Sequence, residues 1–190
     1  MILASASPRR IEMIQKAGID PVVMPASIIE TFPSDMGPED ATMFLAMKKA
    51  TAVLEEIKSS EGHDKSDVIL AADTVVVSDR KIIGKPRDPQ EAFSILSSLR
   101  SRSHHVITGC CLIKPATMQK FCFYEDTEVW FKDFTDEELE AYVHTPEPYD
   151  KAGGYAIQGT FGKYVDHIDG DFDNVVGLPL TRVLTFLKYL

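Results

Sequence analysis

Ser7-Pro8-Arg9-Arg10 follows directly on the apolar Ile2-Leu3-Ala4 and the small residues after it. Serine is a good helix N-cap and proline is favoured at the first helical position, so a short buried strand turns into a helix here. The first N–H groups of a helix have no internal partner and lie at the positive end of its dipole, where they attract phosphate. That same end disfavours cations, so Arg9 and Arg10 weaken an isolated helix slightly. They would strengthen an anion site, because arginine grips phosphate bidentately. An ordinary surface turn with solvated arginines has the same spacing.

Two further positions break local patterns. Lys49 has Leu45, Ala46, Ala52 and Val53 as its helical neighbours, so it lies on an apolar stripe. A lysine snorkelling to the edge of that stripe and one reaching into a phosphate site both fit, and Lys48 is nearly as well placed. Asp73 interrupts the strand-like run Ile69 to Val77. A carboxylate there costs several kcal/mol unless it is paired, hydrogen-bonded or metal-bound, which points to metal binding or a general base. A strand end or a bulge is the plainer reading. Lys85, in Gly84-Lys85-Pro86, could bring a second cation near that aspartate, although its spacing alone is that of a loop lysine. The run Ala152 to Gly159 has three glycines that would let backbone approach a ligand, without full phosphate-loop spacing.

Other arrangements lead nowhere. Asp169, Asp171 and Asp173 alternate like a calcium loop, but Asn174 stands in the glycine position and Leu180 in that of the bidentate glutamate. His104-His105 has no second ligand cluster and reads as surface at a strand start. No histidine partner can be identified for a serine or cysteine nucleophile. Cys110, Cys111 and Cys122 have no Cys-x-x-Cys spacing; they read as small buried strand residues in a reducing compartment, with neither disulfide nor zinc.

The elements that must position these groups alternate. After the first helix, which Gly18 stops, a second runs from about Pro38 to Ile57. A polar loop spans Ser59 to Ser66. Val68 to Ala72 and Thr74 to Val77 are strand-like, and Ser78 to Lys81 joins them to Ile82-Ile83 as a hairpin. Asp88-Pro89 opens a third helix, His105 to Ile113 and Phe121 to Phe131 form a strand pair, and Thr135 with Glu138 has capping-box spacing. Tyr164 to Ile168 is one more strand and Leu178 to Leu190 a closing helix. The pattern predicts an α/β protein with a mixed central sheet and flanking helices, in one domain over residues 1–190. No repeat or low-complexity tract interrupts it.

Hydrophobic residues make up 44% of the 190 and charged residues 26%, ordinary values for a globular chain with a sizeable core. No apolar run approaches the ~18 residues that span a bilayer and no basic leader opens the chain, so a cytoplasmic protein without a membrane partner is expected. Twenty Lys and Arg against 29 Asp and Glu give a net charge of −9. Such a surface repels a nucleic-acid backbone, and a small anion in a local cationic site suits it better.

Taken together the motifs resemble those of the Maf (septum-formation inhibitor) family of nucleoside triphosphate pyrophosphatases. The blocks are Leu3 to Arg10, Ala72-Asp73-Thr74-Val75-Val76, Gly84-Lys85-Pro86-Arg87-Asp88, Thr108-Gly109, Asp150 to Gly159, and Asn174 to Leu180, in the family's order. The resemblance implies a fold similar to that of inosine-triphosphate pyrophosphatases, with two lobes around a cleft. It implies hydrolysis of a nucleoside triphosphate to monophosphate and pyrophosphate with a divalent cation (Mg²⁺, Mn²⁺ or Co²⁺). It suggests a homodimer, and links to division arrest and to clearing non-standard nucleotides. Carried over by motif, Asp73 is the general base or a metal-associated carboxylate, and Glu30 the metal-binding glutamate. Ser7, Arg10, Lys49 and Lys85 hold the triphosphate; the family's Lys-Ala pair favours Lys49 over Lys48.

Family members with arginine after the serine–proline and an Ile-Gln-Gly loop prefer dTTP and UTP, whereas those with tryptophan and a Glu-Gly loop prefer 7-methyl-GTP. Arg9, Thr74 and Gln158 place this chain with the former, and a glutamine amide can both donate to and accept from a uracil or thymine edge. Ser101 and Phe172 depart from the family pattern but touch no proposed catalytic position. The alternatives are a pyrophosphatase for modified or purine nucleotides and a nucleotide-binding division regulator without catalysis.

Overall fold

The computed structural model describes residues 1–59 and 67–190. Most of the loop expected at Ser59 to Ser66 lies outside the described residues. Within them, seven strands form one sheet in the order β2-β1-β3-β5-β6-β7, with β4 paired to β3. The expected mixed sheet with flanking helices is what forms: β1 (Ile2–Leu3) runs parallel to both β2 (Val22–Val23) and β3 (Ile69–Ser78), while β4 (Lys81–Ile83) is antiparallel to β3. Asp79 and Arg80 both have positive φ, 48° and 62°, the conformation a two-residue hairpin turn demands. Strand β3 is buried along nearly its whole length and continues through Asp73 without a break. Asp73 therefore sits inside the strand and not at its end.

Two compact units can be distinguished. The first comprises Met1–Asp73, Thr108–Glu125 and Gly177–Leu190. In it α1 (Pro8–Lys16) begins as the sequence predicts, with Ser7 extended and Pro8 at the first position, and ends at Gly18, whose φ is +80°. Helix α2 (Pro38–Ser59) buries Ala46, Ala50, Val53 and Leu54 against Ile2, Ala4, Ile69 and Cys111. The alanines bring helix and sheet close. At Gly109, in β5 (Ser103–Lys114), the approach is limiting: a Cβ would lie 2.3 Å from Thr42 C and Met43 N. Helix α6 (Leu180–Leu187) is shorter at both ends than the expected Leu178 to Leu190, with Pro179 as its N-cap and Lys188 as its C-cap. It stacks Phe186 on Phe123 of β6 (Gln119–Phe131), with ring centroids 4.7 Å apart.

The second unit comprises Thr74–Ile107 and Asp126–Val176. Its α3 (Pro89–Leu99) is capped by Asp88, and α4 (Asp136–Val143) by the anticipated Thr135–Glu138 box. An aromatic cluster fills the core, with Phe161 fully buried and 4.5 to 5.6 Å from Tyr142, Tyr164, Phe134 and Phe131. Strand β7 (Val165–Asp169) pairs antiparallel with β6. The short α5 (Phe172–Val176) was not expected; Asn174 pins it by donating to Val106 O at 2.8 Å and Thr127 Oγ1 at 2.9 Å. The glycine-rich stretch forms 3₁₀ turns at Glu147–Asp150, Ala152–Gly154 and Thr160–Tyr164.

Two expectations are corrected. Cys110 and Cys111 are buried, but Cys122 is exposed, its Sγ 2.9 Å from Cys111 Sγ on the neighbouring strand, and all three are free thiols. His104 is a core residue, 1% exposed, with Nε2 2.6 Å from the Tyr155 hydroxyl. Burial, reinforced by neighbouring His105, pushes its pKa down to about 4 from the usual 6.5. The unfolded chain therefore binds a proton that the folded chain refuses between those two values. Stability is full above about pH 6.5 and falls as pH drops towards 4, by about 3 kcal/mol in all. Urea titrations across that range should show this loss in the parent protein and a flatter profile in His104→Gln.

Candidate functional site

The first unit brings three of the sequence-selected residues into direct contact. Strand β3 delivers Asp73, with 11% of its side chain exposed, and α2 delivers Lys49, equally buried, so that Nζ lies 2.6 Å from Asp73 Oδ1. Glu30, on the segment between β2 and α2, reaches the same ammonium at 2.8 Å with a side chain 57% exposed. One lysine is thus held by two carboxylates. Lys48 points elsewhere, donating to Ile29 O at 2.8 Å, which fixes the backbone next to Glu30. The geometry separates the two lysines that the helical pattern left equivalent.

Arg10 lies alongside. Its Nε donates to Gly177 O at 2.8 Å, and Nη1 to Ala72 O at 2.8 Å and Ser5 Oγ at 3.2 Å. Desolvation lowers the guanidinium pKa from its usual value, and the field of Asp73 opposes that most strongly. Arg10 is therefore an internal clamp as well as a cation: it ties the residue pair after β1 and the middle of β3 to the segment before α6. Ser5 Oγ also accepts from the Ser7 N–H at 3.2 Å, whereas the Ser7 hydroxyl makes no capping bond to the helix it precedes. Arg9 is half-buried on the first turn of α1. Ser5 escaped the sequence reading as a site residue, and Lys48, weighed there as a phosphate ligand, has instead the work of holding the backbone beside Glu30. Their polar character is ordinary for their positions, and only partners distant in the chain identify their work.

The other selected residues belong to the second unit. Thr74 follows Asp73 on β3 and is half-buried. Lys85 is exposed, and its loop is tied down through Gly84 O, which accepts from the Gly153 N–H at 3.1 Å. Gln158 is exposed at the end of the glycine-rich stretch. The positive φ of Gly153 and Gly154, 70° and 76°, bends the chain there, and a Cβ on Gly153 would sit 2.9 Å from Val76 Cγ2.

In chemical terms, a strand-borne carboxylate beside a buried ammonium can orient water and neutralise anionic oxygens. Glu30 and Asp73 offer hard oxygen donors. Among the described residues no group of three or more His, Cys, Asp or Glu side chains could hold a metal by itself. Two carboxylates are what Mg²⁺-type sites usually draw from protein, the remaining ligands being water and substrate phosphate, so the donor set fits a divalent cation.

Removing Lys49 takes from the buried Asp73 the ammonium that it contacts. Lys49→Met should therefore destabilise the fold by about 3–5 kcal/mol. The double variant Lys49→Met/Asp73→Asn should recover much of that loss in chemical denaturation, since the partner charge is gone.

Comparison with known proteins identifies the family. The family model described as "Maf-like protein" matches residues 1–190. A dTTP/UTP pyrophosphatase of Caldicellulosiruptor saccharolyticus is 40% identical over 190 residues, covering 100% of this chain and 94% of its own length. The dTTP/UTP pyrophosphatase of Bacillus cytotoxicus is 43% identical over 187 residues, 98% of this chain and 93% of its own. That of Desulfitobacterium hafniense is 42% identical over 183 residues, 96% and 82% respectively. With a match that runs from the first residue to the last, the chain belongs to the Maf-like family.

Proposed function

We propose that the protein hydrolyses nucleoside triphosphates to the monophosphate and pyrophosphate, with dTTP and UTP as preferred substrates. The observation that carries this reading is the contact of Asp73, Lys49 and Glu30: a buried carboxylate and ammonium poised for phosphate chemistry. The naming of the relatives as dTTP/UTP pyrophosphatases, at 40–43% identity over nearly full length, supports both the reaction and the base. A net charge of −9 leaves cationic groups as local features, which suits a small anion.

Glu30 and Asp73 would hold the divalent cation, which would neutralise phosphate charge and acidify water. Asp73 orients the attacking water and takes its proton. Lys49 donates to triphosphate oxygens as charge builds on the departing pyrophosphate. Arg10, fixed by the carbonyls of Ala72 and Gly177, adds a positive field that needs no reorganisation during the reaction. Lys85 holds the triphosphate from its loop, and Ser7 does so at the N-terminus of α1. Arg9, Thr74 and Gln158 select the base. A wrong base leaves polar groups unpaired, which is the strongest basis for rejection.

A panel of canonical and modified triphosphates, with product identification, tests reaction and base preference together. Pyrophosphate plus dTMP or UMP is expected; release of inorganic phosphate and a diphosphate would sink the reading. Asp73→Asn should lower kcat by about 10²-fold or more while circular dichroism stays unchanged. Chelation by EDTA should abolish turnover, and added Mg²⁺, Mn²⁺ or Co²⁺ should restore it.

A further inference from the structure

The turn that carries Gln158 is braced by a residue with no part in the reaction as described. The Gly159 N–H donates to Ala156 O at 3.0 Å, which puts Ile157 and Gln158 at the two central positions of a tight turn. Immediately after it, the Glu147 carboxylate accepts from the Thr160 N–H, at 3.0 Å to Oε1 and 3.2 Å to Oε2, and from the Thr160 hydroxyl at 2.7 Å. No side chain fits between: a Cβ on Gly159 would lie 1.9 Å from Glu147 Oε1, and one on Gly162 would lie 2.1 Å from Ile157 O.

Glu147 is itself secured. The Lys151 ammonium donates to its main-chain oxygen at 2.6 Å. The Tyr142 hydroxyl lies 3.3 Å from Glu147 Oε1 and 3.1 Å from Gly154 O; with one proton, it serves one of them at a time. At the other end of the turn, Tyr155 is anchored on His104. Gln158 is exposed, with no hydrogen bond from its side chain among the described residues. The backbone is pinned on both sides and the amide is left available.

We propose that Glu147 is a positioning residue for base selection: it fixes the turn from which the Gln158 amide meets the pyrimidine edge. This rests on the reading of Gln158 as a base-selecting residue. Uracil presents an acceptor oxygen next to an N–H donor, whereas cytosine presents an amino donor next to an acceptor nitrogen. An amide on a loose turn re-aims to suit either edge, and a fixed one matches a single pattern at full strength.

The test compares kcat/KM for UTP and CTP in the parent protein, Glu147→Ala and Glu147→Gln, with thermal unfolding followed in parallel. Glu147→Ala should lower the UTP:CTP ratio at least about tenfold, the scale expected from a displacement near 1 Å, with kcat for UTP within about threefold of the parent. Glu147→Gln keeps an acceptor for the Thr160 N–H and a partner for its hydroxyl, so its ratio should stay within about twofold. A folded Glu147→Ala with an unchanged ratio overturns the proposal, as does Glu147→Gln losing as much as the alanine variant. Should the alanine variant fail to fold, Gly159→Ala perturbs the same contact from the other side and must lower the ratio comparably. A parent protein that turns over no UTP overturns the reaction itself, an outcome visible before any variant is made.

Discussion

Burying a charge costs several kcal/mol unless a partner goes with it, and Asp73 is buried inside a strand that is mostly apolar. The Lys49 ammonium meets that cost, and the rest of the first unit is arranged to bring it there. Helix α2 must lie close to the sheet, hence Ala46 and Ala50 on its buried face. Glu30 must reach the same nitrogen, hence the bond from Lys48 that fixes the chain at Ile29. The carboxylate must face one way, hence the Arg10 clamp on the carbonyl of Ala72, the preceding residue. A mutual constraint of this kind gives a site with little left to reorganise when an anion arrives.

Much of this was legible in the sequence, for definite reasons. Asp73 showed because a carboxylate inside an apolar run violates burial, and Lys49 because a cation on an apolar helical stripe does. The strand-to-helix turn showed because serine and proline have strong positional preferences. Choosing between Lys48 and Lys49 required family resemblance, since adjacent lysines with long side chains can both reach the edge of one apolar stripe; geometry then distinguished them. Lys85 and Gln158 were found by motif alone, because loop lysines and glutamines break no local rule.

What stayed hidden depended on contacts distant along the chain. Arg10 donates to Gly177, 167 residues away, and nothing local announces that a first-turn arginine is a clamp. His104 was misread as surface because its burial depends on Tyr155, 51 residues on. Strand β2 has only two residues, too few to show a period, and both are exposed. The Glu147 contact is closed by two glycines whose role is to have no side chain, so composition counts them without revealing what they exclude.

Gly109 has a similar character with a wider consequence. Its hydrogen is the only thing separating strand β5 from the backbone of α2 at Thr42 and Met43. A side chain at that point would meet main-chain atoms, which no neighbouring substitution can shorten. Compensating change of the usual kind, large for small across a packed face, is closed to this position. The glycine therefore sets how closely α2 approaches the sheet at this point, and Lys49, about two turns further along the same helix, is carried at that depth. A residue without chemistry sets how far the ammonium can reach.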